Sequence, residues 1–368
     1  PPEVERLKGD VRLADVLARA AETRSAARPE ELAARMEGEY VRVRERDVEE
    51  LVERAREELG LTAHARERFR MDVLRRFYED YGTRLGGLAW RDFAEVERSL
   101  NAKGFLPRWL DRVWPVAAPD ALVRSLLTTP ARLAEAAEGI LDGPAQRLLR
   151  RPRSGFAWSH HDVPLVDEAR ALLAEPPRAF GHVIVDEAQD LTPMQLRMVA
   201  RRARGSSVTI LGDIAQATGP VVHDRWDEVL AHLDASDAEV AELRHAYRVP
   251  AEIMELALPL LDVVAPDVAP PVAFRTGAAA PRIEQVDEDD LVTAALREAL
   301  ALATEEGLLA VILPDSLVPH LSGHSAYDDG IPLLTPRRAK GLEFDHVVVV
   351  EPALIAEGET GLRELYVA

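Results

Sequence analysis

The sequence predicts an α/β protein in which a long helical region precedes a parallel sheet. Three observations predict it. Apolar residues recur at helical spacing through residues 10–150. After residue 150, short β-rich apolar runs alternate with helical stretches, the pattern of parallel strands joined by helical crossovers. Of the 368 residues, 47% are apolar, enough for more than one sizeable core.

In the first region, Val11, Leu13, Val16, Leu17 and Ala20 mark one helical face. Val48, Leu51, Val52 and Ala55 mark a second, and Phe69, Val73, Leu74 and Phe77 a third. Thr129-Pro130 opens a further helix, with proline in its first turn. Trp90, Phe93, Phe105, Trp109 and Trp114 fall between helices. Core packing is the favoured reading of these aromatics, and a partner surface the alternative. In the second region, strands are expected at His182–Val185, Val208–Leu211, Ile283–Val286, Leu308–Leu313 and His346–Val350. Helices are expected near 193–203, 226–233, 250–262 and 288–303, the last led by the acidic run Asp287-Glu288-Asp289-Asp290. Pro266, Pro270 and Pro271 break the pattern as a linker would.

Composition narrows the function. Net charge is −19, whereas a protein gripping DNA through phosphates normally carries a basic surplus. Residues 1–150 are close to neutral, so the acidic excess lies almost wholly after them and the two regions have different neighbours. Cysteine is absent, which excludes disulfides and thiolate zinc sites and fits a cytoplasmic location. No run of about 18 apolar residues suggests a membrane span. The start, Pro1-Pro2-Glu3, does not read as a signal peptide.

The chemistry concentrates in four segments. Val183-Ile184-Val185-Asp186-Glu187-Ala188-Gln189-Asp190 is an apolar strand ending in adjacent carboxylates. At the carboxyl end of a parallel strand, where such sheets bind ligands, one carboxylate can hold magnesium and the next can deprotonate a water. An acidic helix cap by Asp190 or Thr192 before Pro193 is the competing reading. Next, Ile210-Leu211-Gly212-Asp213-Ile214-Ala215-Gln216 is a second strand ending in a polar turn. Its neutral amide can hydrogen-bond a terminal phosphate oxygen or the attacking water. Leu243-Arg244-His245-Ala246-Tyr247-Arg248-Val249-Pro250 offers an arginine for phosphoryl charge and a flat ring for a base. Arg338-Ala339-Lys340-Gly341-Leu342-Glu343-Phe344-Asp345 offers a close-approach glycine and a carboxylate for a sugar hydroxyl.

In this order the four segments resemble motifs II, III, IV and V of the UvrD/Rep branch of superfamily 1 helicases, over residues 181–368. The resemblance implies a RecA-like domain of the P-loop NTPase type with a large helical insertion, plus part of a second RecA-like domain. It implies ATP and Mg2+ as ligands, with Asp186 as the magnesium carboxylate and Glu187 as the catalytic base. Gln216 becomes the γ-phosphate sensor, Arg248 the arginine finger, Tyr247 the adenine-stacking ring and Glu343 the ribose contact. Gln189, Asp213 and Gly341 become further nucleotide-binding positions. The domain boundaries implied are 1–150 for the insertion, 151–245 for the remainder of the first motor domain, and 246–368 for the junction and partial second domain. Two departures stand out. No segment matches G-x-x-x-x-G-K-[ST], and the chain stops at Leu365-Tyr366-Val367-Ala368, where the family continues. The expectation is therefore an internal piece of a longer ATPase, inactive by itself.

Within that branch, Leu7-Lys8-Gly9-Asp10-Val11-Arg12, Trp158–Leu173, Leu191–Met198, Gly212–Ala217, Tyr247–Pro250 and Gly361–Ala368 resemble the HelD group of RNA polymerase recycling factors. That resemblance implies bacterial RNA polymerase core as partner, contacted through residues 10–150; nucleic acid is a possible partner that the acidic charge does not favour. The competing functions are a UvrD-type DNA translocase and a non-catalytic polymerase-binding module. His160-His161-Asp162 is read as a solvated loop or helix cap, not a metal site, since no further ligand stands at suitable spacing.

Overall fold

The computed structural model describes residues 2–85, 91–174, 178–203, 205, 207–277, 280–321 and 331–368. Trp90 lies outside the described residues. The fold is mixed α/β with small parallel sheets. Contacts divide the chain into two compact units, Pro1–Val183 with Thr192–Ser207, and Ile184–Leu191 with Val208–Ala368.

The first unit begins with α1 (Pro2–Gly9) and α2 (Arg12–Arg24). The Asp10 carboxylate starts α2 by accepting the Arg12 amide at 2.9 Å. Leu13, Val16, Leu17 and Ala20 are buried as the helical spacing predicts, whereas Val11 stays exposed. The region then departs from expectation. Leu32–Met36 (β1) and Glu39–Val43 (β2) pair antiparallel, with Met36 opposite Glu39. Glu37 and Gly38, both at positive φ, make the two-residue turn. Two successive positive φ values suit the twist of a tight hairpin, so the turn overrides the helix-forming Ala, Arg and Met around it.

Helices α3 (Glu45–Leu59) and α4 (Ala63–Arg84) follow, then α5 (Phe93–Asn101) and α6 (Phe105–Val113). They bury the aromatics against the hairpin. Phe69 stacks on Trp109 with ring centroids 6.0 Å apart, and Trp114 closes on Phe69 at 5.4 Å. Phe69, Phe77, Tyr81, Trp109 and Trp114 are fully buried, so these rings are core and not a binding surface. Of the others named above, Phe93 is half-buried and Phe105 exposed.

A second core joins α1 and α2 to α7 (Pro119–Thr128), α8 (Pro130–Ala136), α9 (Gly143–Leu149), α10 (Val163–Leu173) and α11 (Pro193–Ala200). Pro130 occupies the first turn of α8 as expected. Leu165, Ala169, Leu173 and Met194 lie in the same core as Leu13, Val16 and Leu17. Residues 10–150 alone would therefore lack Leu7, Leu165, Ala169, Leu173 and Met194 of that core.

Two ionic clusters brace this core. Lys8 Nζ lies 2.5 Å from Asp162 Oδ1, with side chains only 5% and 1% exposed. Arg151 reaches the other Asp162 oxygen at 2.8 Å, and the Ser159 amide donates to it at 2.8 Å. Burial pushes the Asp162 carboxyl up, but Lys8 and the Ser159 donors outweigh it and hold the group below its ordinary value. His160-His161-Asp162 is thus a capping turn, as one of its two readings had it, but its carboxylate is buried and not solvated. Burial lowers the His161 pKa, with Glu5 opposing that shift from 3.3 Å. Between α10 and α11, Asp167 and Glu168 are paired with Arg197, Arg201 and Arg202.

In the second unit, β3 (Val183–Val185) and β4 (Val208–Ile210) form a two-stranded sheet. Helix α12 (Trp226–Ala231) follows. The short strands β5 (His245–Ala246) and β6 (Val272–Ala273) pair in parallel on either side of α13 (Ala251–Val264) in sequence. After α14 (Leu291–Leu302) comes a three-stranded parallel sheet. Its central strand is β7 (Leu309–Ile312), flanked by β8 (Leu333–Leu334) and β9 (His346–Val349). Short helices α15 (Val318–Leu321), α16 (Pro336–Ala339), α17 (Pro352–Ile355) and α18 (Gly361–Val367) complete it. All four residues of β7 are buried, as a central parallel strand requires. The strand expected at Ile283–Val286 is not formed: Ile283 is exposed and the segment has no sheet partner among the described residues.

Candidate functional site

The site is built where β3 and β4 end side by side. Beyond β3 the ladder continues through Leu211 N to Val185 O at 2.8 Å and Ala188 N to Leu211 O at 3.1 Å. The chain then turns sharply, and Glu187 takes a left-handed conformation at φ 53° and ψ 37°. A non-glycine residue adopts that region at a cost that surrounding structure must offset, and such residues cluster at functional sites. Here the Asp186 carboxylate accepts the Glu187 amide at 2.9 Å, and both side chains face solvent.

Gln189 is fully buried and ties the two turns together. Its Nε2 donates to Glu187 Oε2 at 2.7 Å, and its Oε1 accepts the Asp213 amide at 3.2 Å. This needs a glycine next door. A Cβ on Gly212 would lie 2.1 Å from Gln189 Oε1 and 2.9 Å from the Trp226 ring. Asp213 then caps the turn it begins, accepting the Ala215 amide at 3.0 Å and Gln216 Nε2 at 2.9 Å. One chain of hydrogen bonds therefore runs Glu187–Gln189–Asp213–Gln216.

Asp190 does not cap the following helix. Thr192 does so, in a reciprocal capping box with Gln195. Asp190 instead accepts the Thr218 and Gly219 amides at 2.9 and 3.0 Å through Oδ1, and pairs through Oδ2 with Lys340 Nζ at 2.5 Å. Lys340 also lies 4.0 Å from Glu187 and donates to the Gln216 carbonyl. Neither Asp190 nor Lys340 was assigned a place in the site from sequence. Their contact spans 150 residues, and only the identity of Lys340 as one of three lysines set it apart.

The remaining predicted residues form a second, more exposed group. Arg248 Nε lies 2.7 Å from Glu343 Oε1. Both side chains are largely exposed, so the pair is of the kind that contributes at most about 1 kcal/mol and yields readily to a ligand. Gly341, at φ +75°, makes the turn between Lys340 and Glu343 with open space around it. The Tyr247 ring is 63% exposed and packs at 5.0 Å against Phe274, itself 71% exposed. Phe274 had no sequence signal; the pairing of β5 with β6 brings it beside Tyr247.

No protein-family model and no curated protein matches the chain.

Among the described residues no three His, Asp or Glu side chains gather as a metal site. Magnesium is usually held through one or two carboxylates with phosphates and waters completing its shell, and Asp186 presents such a carboxylate at a strand end. An exposed aromatic face, and an arginine paired with an exposed carboxylate, are the groups that a base, a phosphate and a ribose need.

Proposed function

We propose that this chain belongs to an ATP-driven motor of HelD type that binds bacterial RNA polymerase and releases it from nucleic acid. In this reading the second unit carries RecA-like sheets. Asp186 holds magnesium, and Glu187 takes the proton of the attacking water. Gln216 and Arg248 act on the terminal phosphate, Tyr247 takes the adenine and Glu343 the ribose. Gln189, Asp213 and Gly341 shape the nucleotide site. The observation that carries the reading is the hydrogen-bond chain Glu187–Gln189–Asp213–Gln216. It links the candidate base to the candidate phosphate sensor through a fully buried amide, at the ends of adjacent strands. The left-handed backbone at Glu187 supports the reading only together with this hydrogen-bond chain, since Glu37 and Glu351 adopt the same conformation outside the site.

The chain alone is expected to hydrolyse ATP negligibly. It has no G-x-x-x-x-G-K-[ST] segment, and in phosphoryl transfer nearly all catalysis is positioning and electrostatics of the kind that loop supplies. Turnover by the purified chain near about 1 per second, the low end for kinases, would contradict this.

The partner is tested by retention of polymerase core on the immobilised 368-residue chain, alongside a single-stranded DNA mobility assay at low salt. The whole chain is needed because the core around α2 is completed by α10 and α11. Polymerase retention without DNA binding is expected. Salt-sensitive DNA binding with no polymerase retained would replace the recycling-factor reading by a UvrD-type translocase.

A further inference from the structure

The turn Ile214–Gln216 is gripped at both ends by buried cations that the nucleotide chemistry above does not use. At its first residue, Arg363 Nη1 donates to the Ile214 carbonyl at 2.5 Å, while Nη2 is anchored on Asp224 Oδ1 at 2.8 Å. At its last residue, Lys340 donates to the Gln216 carbonyl while anchored on Asp190 at 2.5 Å. Both cationic side chains are 9% exposed. Hydrogen bonds from buried cations to carbonyls are about twice as strong as neutral ones, and leaving such a cation unpaired is costly.

The same turn packs on α18, the helix that carries Arg363. Ile214 and Ala215 share a small core with Leu261, Val264 and Ala265, against which Leu362 and Tyr366 of α18 lie. Burial, and then the charge of nearby Asp213, pushes the Tyr366 hydroxyl up to about 12. Helix α18 thus holds the backbone of the turn and sits beside the aspartate that orients Gln216 Nε2.

We propose that Arg363 and Lys340 are positioning residues that form a two-point clamp on Ile214–Gln216, so that the placement of α18 and of the Lys340 turn sets where Gln216 points. That Gln216 reads a phosphate rests on the ATPase reading; the clamp itself does not. Through it, Lys340 and Arg363 set the sensor without themselves touching nucleotide. The two grips are independent in sequence and converge on three residues, whereas a helix merely packed for stability needs no cation on the turn's carbonyls.

The experiment is hydrogen exchange on the 368-residue chain, following the Gln216 and Ala217 amides, which close the turn on Asp213 and Ile214 carbonyls. Arg363→Met and Lys340→Met are each expected to speed exchange at these amides by about tenfold or more, the loss of one charged hydrogen bond. First-unit amides should be unmoved. Asp224→Asn, which frees the Arg363 anchor at an exposed carboxylate, should reproduce the effect, and Lys340→Arg should largely restore protection. Unchanged exchange at Gln216 and Ala217 in Arg363→Met overturns the clamp; if that variant does not fold, unchanged exchange in Asp224→Asn does so. A parallel titration of wild type with a fluorescent ATP analogue and Mg2+ keeps the readings apart. Absence of nucleotide binding overturns the ATPase reading alone, and unchanged exchange overturns the clamp alone.

Discussion

Asp162→Ala is expected to destabilise the first unit by about 3–5 kcal/mol, the cost of breaking a buried ion pair by removing one partner. The substitution strands Lys8 inside the core, 5% exposed and without its carboxylate, and leaves Arg151 only the Ala157 carbonyl and the Phe156 ring. Urea unfolding followed by tryptophan emission, to which buried Trp109 and Trp114 contribute, measures it. Arg68→Ala, which removes the exposed partner of the Arg68–Asp72 pair, should leave stability almost unchanged and serves as the contrast. Acid should mimic the larger effect. The Asp162, Asp167 and Glu168 carboxyls all have folded values below the ordinary ones, held there by Lys8, Arg197, Arg201 and Arg202 against the opposing effect of burial. Such groups stabilise the fold above their unfolded pKa, and the contribution is lost as pH falls through the folded values. Stability should therefore drop as pH goes below about 4. The drop should be shallower in Asp162→Ala. Equal slopes in the two proteins would remove Asp162 from the account.

The second large effect lies at the nucleotide site, in a longer chain that carries a phosphate-binding loop. Glu187→Gln should preserve nucleotide binding and lower turnover by about 10²–10⁴-fold, because the amide keeps the shape but cannot take a proton. Arg248→Ala should lower turnover by about 10³-fold or more if the guanidinium acts on the developing phosphoryl charge. The structure gives this second test an added edge, because Arg248 is paired with Glu343. Removing the arginine frees Glu343, so nucleotide affinity should not fall in step with the rate. Single-turnover and equilibrium binding measurements separate the two. An unchanged rate in Arg248→Ala would remove the finger assignment.

The candidate site was legible in sequence to the extent that it is local. Asp186, Glu187 and Gln189 stand at the end of one apolar run, and Gly212, Asp213 and Gln216 at the end of another, so the strand pattern alone puts them at strand ends. What that pattern cannot contain is Lys340 reaching Asp190 across 150 residues, or Arg363 reaching Ile214 across 149. Neither contact leaves a trace in periodicity, because each involves a lone polar residue on a short element. In the first region the helical faces at Leu13–Ala20 and Phe69–Phe77 were clear, since long amphipathic helices repeat their signal. The hairpin was hidden because Leu32–Met36 is written in helix-favouring residues, although the alternating Tyr40, Val41 and Val43 and the Glu37-Gly38 turn point to a strand pair. At Ile283–Val286 the error ran the other way. β-branched residues fit a strand, but a strand needs a neighbour, and among the described residues this segment has none.

The division of the chain has a consequence for how such a protein can vary. Residues 184–191 belong to one unit and 192–207 to the other, so the polypeptide passes between them three times within about two dozen positions. Neither unit is a cassette. A recombination event falling between Val183 and Val208 would give each unit a foreign piece, either the Asp186–Asp190 turn or Arg197 of α11 with the following Arg201 and Arg202, which pair with Asp167 and Glu168. An exchange that keeps both units whole would have to break the chain outside this interleaved stretch.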